Sequence, residues 1–471
     1  MQHTKLIVLL KSLTTWELKA FEKLVRSPFY NVNENVDELY FIIKKFAPAY
    51  IDDELNLEHI SKLLFKSKKA QLTKLRYVMT DLTRLLEKFL VMLSLEKNNN
   101  TEKKLLLNML NERNADKFFQ IHLTESTIQQ KLKPLDMQFY ETAFQLEEMQ
   151  YEFDSSRKNR KSDDALQNLS DNLDLFYLTR KLKYSCEITN RQNILNVQYN
   201  NPIIKNVISF LNDGNYKDVP LVAIYHTILL TLSEPDNEKH FVRLKQLLQK
   251  HTRQITQKEN RDIYAFAQNY CIRKVNTGKT NFLRELFELY KTVLTEKIIF
   301  DNKQISHADF KNICAIAIRV NELKWAENFI AEHQFKLPKD LRNNSVNYNM
   351  ARLHFAKKEY KQAVRLLTQI EFTDVYYHLD SKSLLLKVYY ETENLQPLYS
   401  LISAFKIYLK RSKLISDYQR LVYKNLVTYV KKFASVKEGK KIDIKLLSKE
   451  IEAEKNIADI GWLKEKLNEL Q

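Results

Sequence analysis

The sequence predicts an all-α protein: an α-α superhelix of stacked helix pairs behind an N-terminal helical region. Three observations point there. Four glycines and eight prolines in 471 residues cannot supply the turns of a sheet protein or the phosphate loops of a nucleotide-binding α/β fold. Hydrophobic residues at 44% and charged residues at 28% make a folded composition with a large core. Nearly every segment spaces its apolar residues with the period of a helix.

The elements follow in order. "TTWELKAFEKLVRS" opens with Thr14 three residues before Glu17, the spacing of a capping box, and Pro28 ends it. "NENVDELYFIIKKFAP" is a second helix stopped by Pro48, and "LNLEHISKLLF" a third. In the long helix that follows, Leu72, Leu75, Val78, Met79, Leu82, Leu85, Leu86, Phe89 and Leu90 form one apolar stripe. "NNNTEKK" breaks it. Helices over "KLLLNMLNER" and "ADKFFQIHLTESTIQQKLK" come next, then "LDMQFYETAFQLEEMQYEF" after Pro134. The polar stretch 154–164 is a candidate boundary or a long loop. Beyond it lie one long helix and a series of shorter pairs. Pro202, Pro220, Pro338 and Pro397 fall near helix starts or in connections, where a missing N–H does least harm. The expected division is 1–155 as an N-terminal helical region, 160–435 as repeats, and 436–471 as capping helices, with Trp462 and Leu463 sealing the last apolar face.

The repeats are read from residue spacing. In "NYNMARLHFAKKEYKQAVRLL", Tyr348, Met350, Ala351 and Phe355 share a face of one helix, "KKEY" turns, and Ala363 and Leu367 face back from the next. The preceding region puts Phe310, Ile313, Cys314 and Ala317 on a first helix, then Ala326 and Ile330 on a second. Ala326 lies 37 residues before Ala363, and Leu398 lies 35 after it. These residues resemble a tetratricopeptide repeat, which alternates two helices over about 34 residues with small residues where they cross. The likeness covers roughly 305–410 and is weaker over 220–300, where 220–234 would pair with 239–250 and 261–274 with 282–294. The chain departs from that pattern where Cys314 and Leu386 replace a small residue, and an irregular helical bundle is the alternative. The whole chain is also similar in manner to long helical proteins of Bacteroidota bacteria, a likeness that carries no function.

Catalytic patterns are scarce. The sequence has no Walker loop, GxGxxG, GxSxG or HExxH motif. No two of the ten histidines lie four apart. Asp236 with His240, and Asp374 with His378, could each make half a metal site, but both read as polar residues near helix starts. Asp52–Asp53 and Asp163–Asp164 precede helices and suit their N-terminal dipoles. No catalytic residue, metal site or cofactor is expected. Cys186, Cys271 and Cys314 are far apart and read as buried free thiols. The run "LIVLL" is too short for a signal-peptide core, and no stretch suffices to cross a bilayer. A cytoplasmic location follows as an expectation.

Binding is the sharper expectation. The resemblance implies that the first helices of the pairs line a groove. Asn312 and Asn349 then occupy equivalent places facing an extended peptide, with Lys311 and Arg352 receiving an acidic side chain or a C-terminal carboxylate. The expected function is a non-catalytic scaffold or adaptor for a protein or peptide partner. The alternative rests on charge. The chain carries +17, and residues 401–450 hold thirteen Lys and Arg against four Asp and Glu, about half the excess. Within 405–433, Lys406, Lys410, Lys413, Arg420, Lys424 and Lys431 alternate with Tyr408, Tyr418, Tyr423 and Tyr429, as in surfaces that track a phosphate backbone and stack bases. A nucleic-acid- or ribosome-associated protein is that second expectation. An anionic membrane surface is a third.

Overall fold

The computed structural model describes residues 1–157, 164–195, 197–370, 375–454 and 456–470. Among them the regular structure is helical, with no strand. By contacts the chain divides into two compact units, 1–133 with 141–173, and 134–140 with 174–471. The division falls inside a long helix. The polar stretch 154–164 lies partly outside the described residues.

The first unit holds α1 (Lys5–Lys11), α2 (Thr15–Val25), α3 (Glu34–Lys44), α4 (Leu57–Phe65), α5 (Leu72–Lys97), α6 (Asn99–Glu112) and α7 (Asp116–Lys131). Two further helices, α8 (Met137–Ser156) and α9 (Asp164–Leu195), contribute to both units. The capping box forms as the spacing predicts: the Thr14 hydroxyl accepts from Glu17 N, and Thr14 N donates to the Glu17 carboxylate. The stripe on α5 is the spine of this unit. Leu75, Leu82, Leu86 and Phe89 are buried, and α5 touches α1, α2, α3 and α4. A second, smaller core joins α6, α7 and α8, where Phe119 and Phe153 stack at 4.4 Å.

The second unit continues with α10 (Ile204–Asn212), α11 (Pro220–Ser233), α12 (Glu238–His251), α13 (Gln257–Asn276), α14 (Phe282–Thr295), α15 (His307–Arg319), α16 (Leu323–His333), α17 (Lys339–Ala356) and α18 (Tyr360–Leu367). It ends with α19 (Val375–Glu391), α20 (Leu395–Arg411), α21 (Asp417–Lys437), α22 (Ile444–Ala453) and α23 (Ile460–Leu470). The expected pairs are present: α11 packs on α12, α13 on α14, α15 on α16, α17 on α18 and α19 on α20. Beyond its partner, α17 also touches α15 and α19, and α19 touches α21.

One turn recurs among these pairs, and in three of them a residue other than glycine takes its left-handed position. Asn321, Lys358 and Glu393 each take a left-handed conformation, with φ of 62°, 61° and 54°. The next N–H then reaches back over the helix end: Glu322 N to Ala317 O at 2.9 Å, Glu359 N to His354 O at 2.8 Å and Asn394 N to Tyr389 O at 3.0 Å. These are Schellman closures, which satisfy carbonyls the helix end leaves open. Five residues beyond each turn residue stand Ala326, Ala363 and Leu398, all fully buried at the helix crossing. The spacing seen in sequence is therefore the spacing of a repeated turn followed by a buried crossing residue. At the C-terminal end Leu463 is fully buried, and Trp462 packs edge-on to Tyr390 at 5.4 Å.

Candidate functional site

The sides of α15, α17, α19 and α21 converge on one polar cluster. Helical spacing sets its rows: Lys311 and Arg319 lie two turns apart on α15, Ser345, Tyr348 and Arg352 line α17, and Tyr377, Asp380, Ser383 and Lys387 line α19. Lys311 Nζ meets Asp380 Oδ2 at 2.7 Å, and Tyr423 OH of α21 donates to Asp380 Oδ1 at 2.6 Å. Tyr377 OH approaches Ser345 Oγ at 3.1 Å and His307 O at 3.4 Å. α15 is thereby tied to α19 across the intervening α17.

A second carboxylate enters from the connection between α22 and α23. Asp459 Oδ2 lies 2.9 Å from Lys387 Nζ and accepts from Ser383 Oγ at 2.7 Å. Burial opposes its charge, but Lys387, the Ser383 hydroxyl and Arg352 outweigh that and hold the carboxyl below its usual range.

Arg352 is placed differently from both lysines. Its guanidinium lies over the Tyr348 ring, 5.8 Å from the centroid. It makes no ion pair or hydrogen bond among the described residues. Burial works against its charge, while Tyr348, Asp459 and Asp380 favour it. Arg319, exposed on α15, also has no acid partner among the described residues. Partial desolvation, and then the charge of Arg352, pushes its pKa down. The charge of Arg352 thus acts on Arg319, and neither guanidinium has a carboxylate in contact among the described residues, whereas Lys311 and Lys387 each have one.

Of the four residues expected to line a peptide groove, Lys311 pairs with Asp380, and Arg352 lies over the Tyr348 ring without a carboxylate in contact among the described residues. Asn312 is exposed on α15. Asn349 is fully buried, and its Nδ2 donates to the carbonyl of Ser345 on its own helix at 2.8 Å. Its Oδ1 is enclosed without a partner. Asn349 therefore does not face an extended ligand as expected, because the phase of α17 turns Asn344, Ser345 and Asn349 inward. Sequence reasoning missed Arg319, Asp380, Lys387, Tyr423 and Asp459. Only Arg319 had a local signal, eight residues after Lys311.

In the basic stretch, Lys406, Lys410, Lys413, Lys424 and Lys431 are exposed and have no ion-pair partner among the described residues. Arg420 is engaged otherwise: it donates to the carbonyls of Ser412 at 3.0 Å and Ile415 at 3.4 Å, fastening the turn before α21. The tyrosines are mostly taken up. Tyr408 stacks on His378 at 4.0 Å, Tyr423 holds Asp380, and Tyr429 is buried. Only the Tyr418 ring stands out into solvent.

Elsewhere an open groove of about 830 Å³ lies among α12, α13 and α14, with Lys245 paired to Glu285 at 2.7 Å and Arg253 to Glu296 at 3.0 Å. Lys183 reaches Glu259 at 3.0 Å and Asp262 at 2.9 Å, and Tyr225 OH also donates to Glu259, a buried tie among α9, α11 and α13. Asp236 pairs with Lys274, and His240 with Glu234, so these two do not form a site together. Asp374 lies outside the described residues. Among the described residues no three His, Cys, Asp or Glu side chains gather as a metal site. The three cysteines are buried and free, and burial pushes the Cys271 thiol up to about 12. No described helix is long and apolar enough to cross a membrane.

With this geometry the protein is defined as an all-α chain of neighbour-packed helix pairs. No protein-family model, curated protein or solved structure matches it.

Proposed function

We propose that the chain is a non-catalytic scaffold or adaptor. Its helix pairs form a tetratricopeptide-like superhelix, and its inner face holds an acidic segment of a partner protein. The recurring turns at Asn321, Lys358 and Glu393 support the repeat reading, since each pair offers an apolar face that only a neighbour covers. The observation that carries the binding reading is the Arg319–Arg352 pair. Each is a guanidinium without an acid partner among the described residues, and an incoming carboxylate takes bidentate hydrogen bonds while offsetting the charge of Arg352 that acts on Arg319. Asp459, seated on Lys387 and Ser383, displays the chemistry the site accepts.

The test is co-purification of the tagged full chain and of an Arg319→Ala/Arg352→Ala variant, each with and without nuclease. The expected result is a partner that survives nuclease and is lost at least about tenfold in the variant, in line with charge-assisted hydrogen bonds. A partner retained equally by the variant overturns the site assignment. The second reading, nucleic-acid binding by 405–433, rests on the five unpaired lysines. It expects nucleic acid in the untreated eluate, with a steep dependence on salt.

A further inference from the structure

The α20–α21 hairpin ends in a protruding tip whose chemistry the groove reading does not use. Four residues, Ser412 to Ile415 with Ser416 as the cap of α21, join the last turn of α20 to the first of α21. The packing face of α20 is filled by Leu398, Ile402, Phe405 and Leu409, all buried, and of the tip only Ile415 joins that core. Yet apolar side chains also stand outward here: Leu414 is 78% exposed, Tyr418 65%, Ile407 53% and Leu421 42%. Scattered apolar residues need no explanation, but here four stand exposed within the fifteen residues from 407 to 421, with the apex residue a leucine.

Charge surrounds these residues. From 406 to 424 the chain holds Lys406, Lys410, Arg411, Lys413, Arg420 and Lys424 against the single acid Asp417. All of these cations but Arg420 are exposed and have no ion-pair partner among the described residues.

We infer that this tip is a docking surface for an anionic phospholipid bilayer. Leu414 enters the boundary between headgroups and acyl chains, with Ile407 and Leu421 behind it. Tyr418 sits at headgroup depth, and the lysines and Arg411 lie against the lipid phosphates. The combination fits a bilayer better than a nucleic acid. Bases need exposed rings to stack on, and the tip offers one tyrosine among three aliphatic side chains. An anionic lipid surface takes both parts of the tip at once, attracting point charges of lysine and burying aliphatic carbon. The inference stands apart from the groove, since none of these residues belongs to the Arg319–Arg352 cluster.

The experiment is co-sedimentation of the full chain with vesicles of phosphatidylcholine alone and with vesicles about one third phosphatidylglycerol. Binding is expected only to the anionic vesicles and is expected to fall sharply between about 0.1 M and 0.5 M salt. Leu414→Ser is expected to weaken partitioning about tenfold. The Lys410→Ala/Lys413→Ala variant is expected to weaken it roughly thirtyfold. Every substituted side chain is exposed, so the fold is not at stake. The Arg319→Ala/Arg352→Ala variant is expected to sediment like the parent, which separates this surface from the groove. Failure to bind anionic vesicles, equal binding to both kinds, or indifference to Leu414→Ser overturns the inference. Binding of a single-stranded oligonucleotide that depends on the lysines but not on Leu414, with no vesicle binding, would reassign the surface to nucleic acid.

Discussion

At the scale of single residues, the cluster around Asp380 separates groups that hold the fold together from groups held in readiness. Lys311 bridges to Asp380, and Lys311→Ala is expected to cost about 1–2 kcal/mol in urea denaturation, because Asp380 is left half-buried with only Tyr423. Arg319→Ala is expected to change stability by less than about 0.5 kcal/mol, since it removes an exposed charge that repels Arg352. A loss beyond about 1 kcal/mol in Arg319→Ala would mean the arginine serves the fold instead. Asp459 has a defined pH signature. Its carboxyl is held below the usual range, so its contribution is present above the ordinary carboxylate value and is lost as pH falls through the lowered one. Asp459→Asn is expected to cost about 1 kcal/mol at neutral pH, a modest figure because the side chain is 37% exposed. At pH values well below that lowered value the variant and parent are expected to melt together.

At the scale of elements, the repeated turn explains how a chain so poor in glycine ends its helices. Lys358 and Glu393 occupy left-handed positions that glycine would take without steric cost. Lys358→Gly and Glu393→Gly are each expected to stabilise the chain by about 0.5–1 kcal/mol, read as a rise in the urea midpoint. Asn321 is better suited to its position, so Asn321→Gly should gain less. Ala363 has no space around it at the α17–α18 crossing, and Ala363→Leu is expected to cost about 1–3 kcal/mol. This level of the structure was legible in advance, because the Ala326, Ala363 and Leu398 spacing is set by local geometry that repeats. The face of α17 was not. That helix is wrapped by α15, α16, α18 and α19, so it carries no clear apolar stripe, and its inward side holds Asn344, Ser345 and Asn349. A polar residue on such a helix can be read as an outward clamp when it is a buried one. Asp459 was out of reach for another reason. It meets Lys387 from a connection outside the repeat pattern, and no periodicity links the two.

At the scale of the whole molecule, acid sensitivity is built in through buried imidazoles. Burial pushes His226 and His333 down, and burial with Lys382 pushes His378 down to about 4. Between about pH 6.5 and these lowered values the unfolded chain takes up protons that the folded one refuses, so stability falls as pH drops through that window. A His333→Phe/His378→Phe variant, whose rings already stack against Phe329 and Tyr408, is expected to show a flatter stability profile there. The readout is the slope with pH, which any constant effect of the substitutions leaves untouched. The tie from Lys311 to Asp380 has a mechanical consequence. An array whose members grip only their neighbours stretches like a spring and unravels one member at a time. A strut that skips over α17 couples three helix pairs in load, so α15 to α21 should resist extension together and give way in one rip under a pulling force, whereas the Lys311→Ala chain should yield in smaller, separate steps.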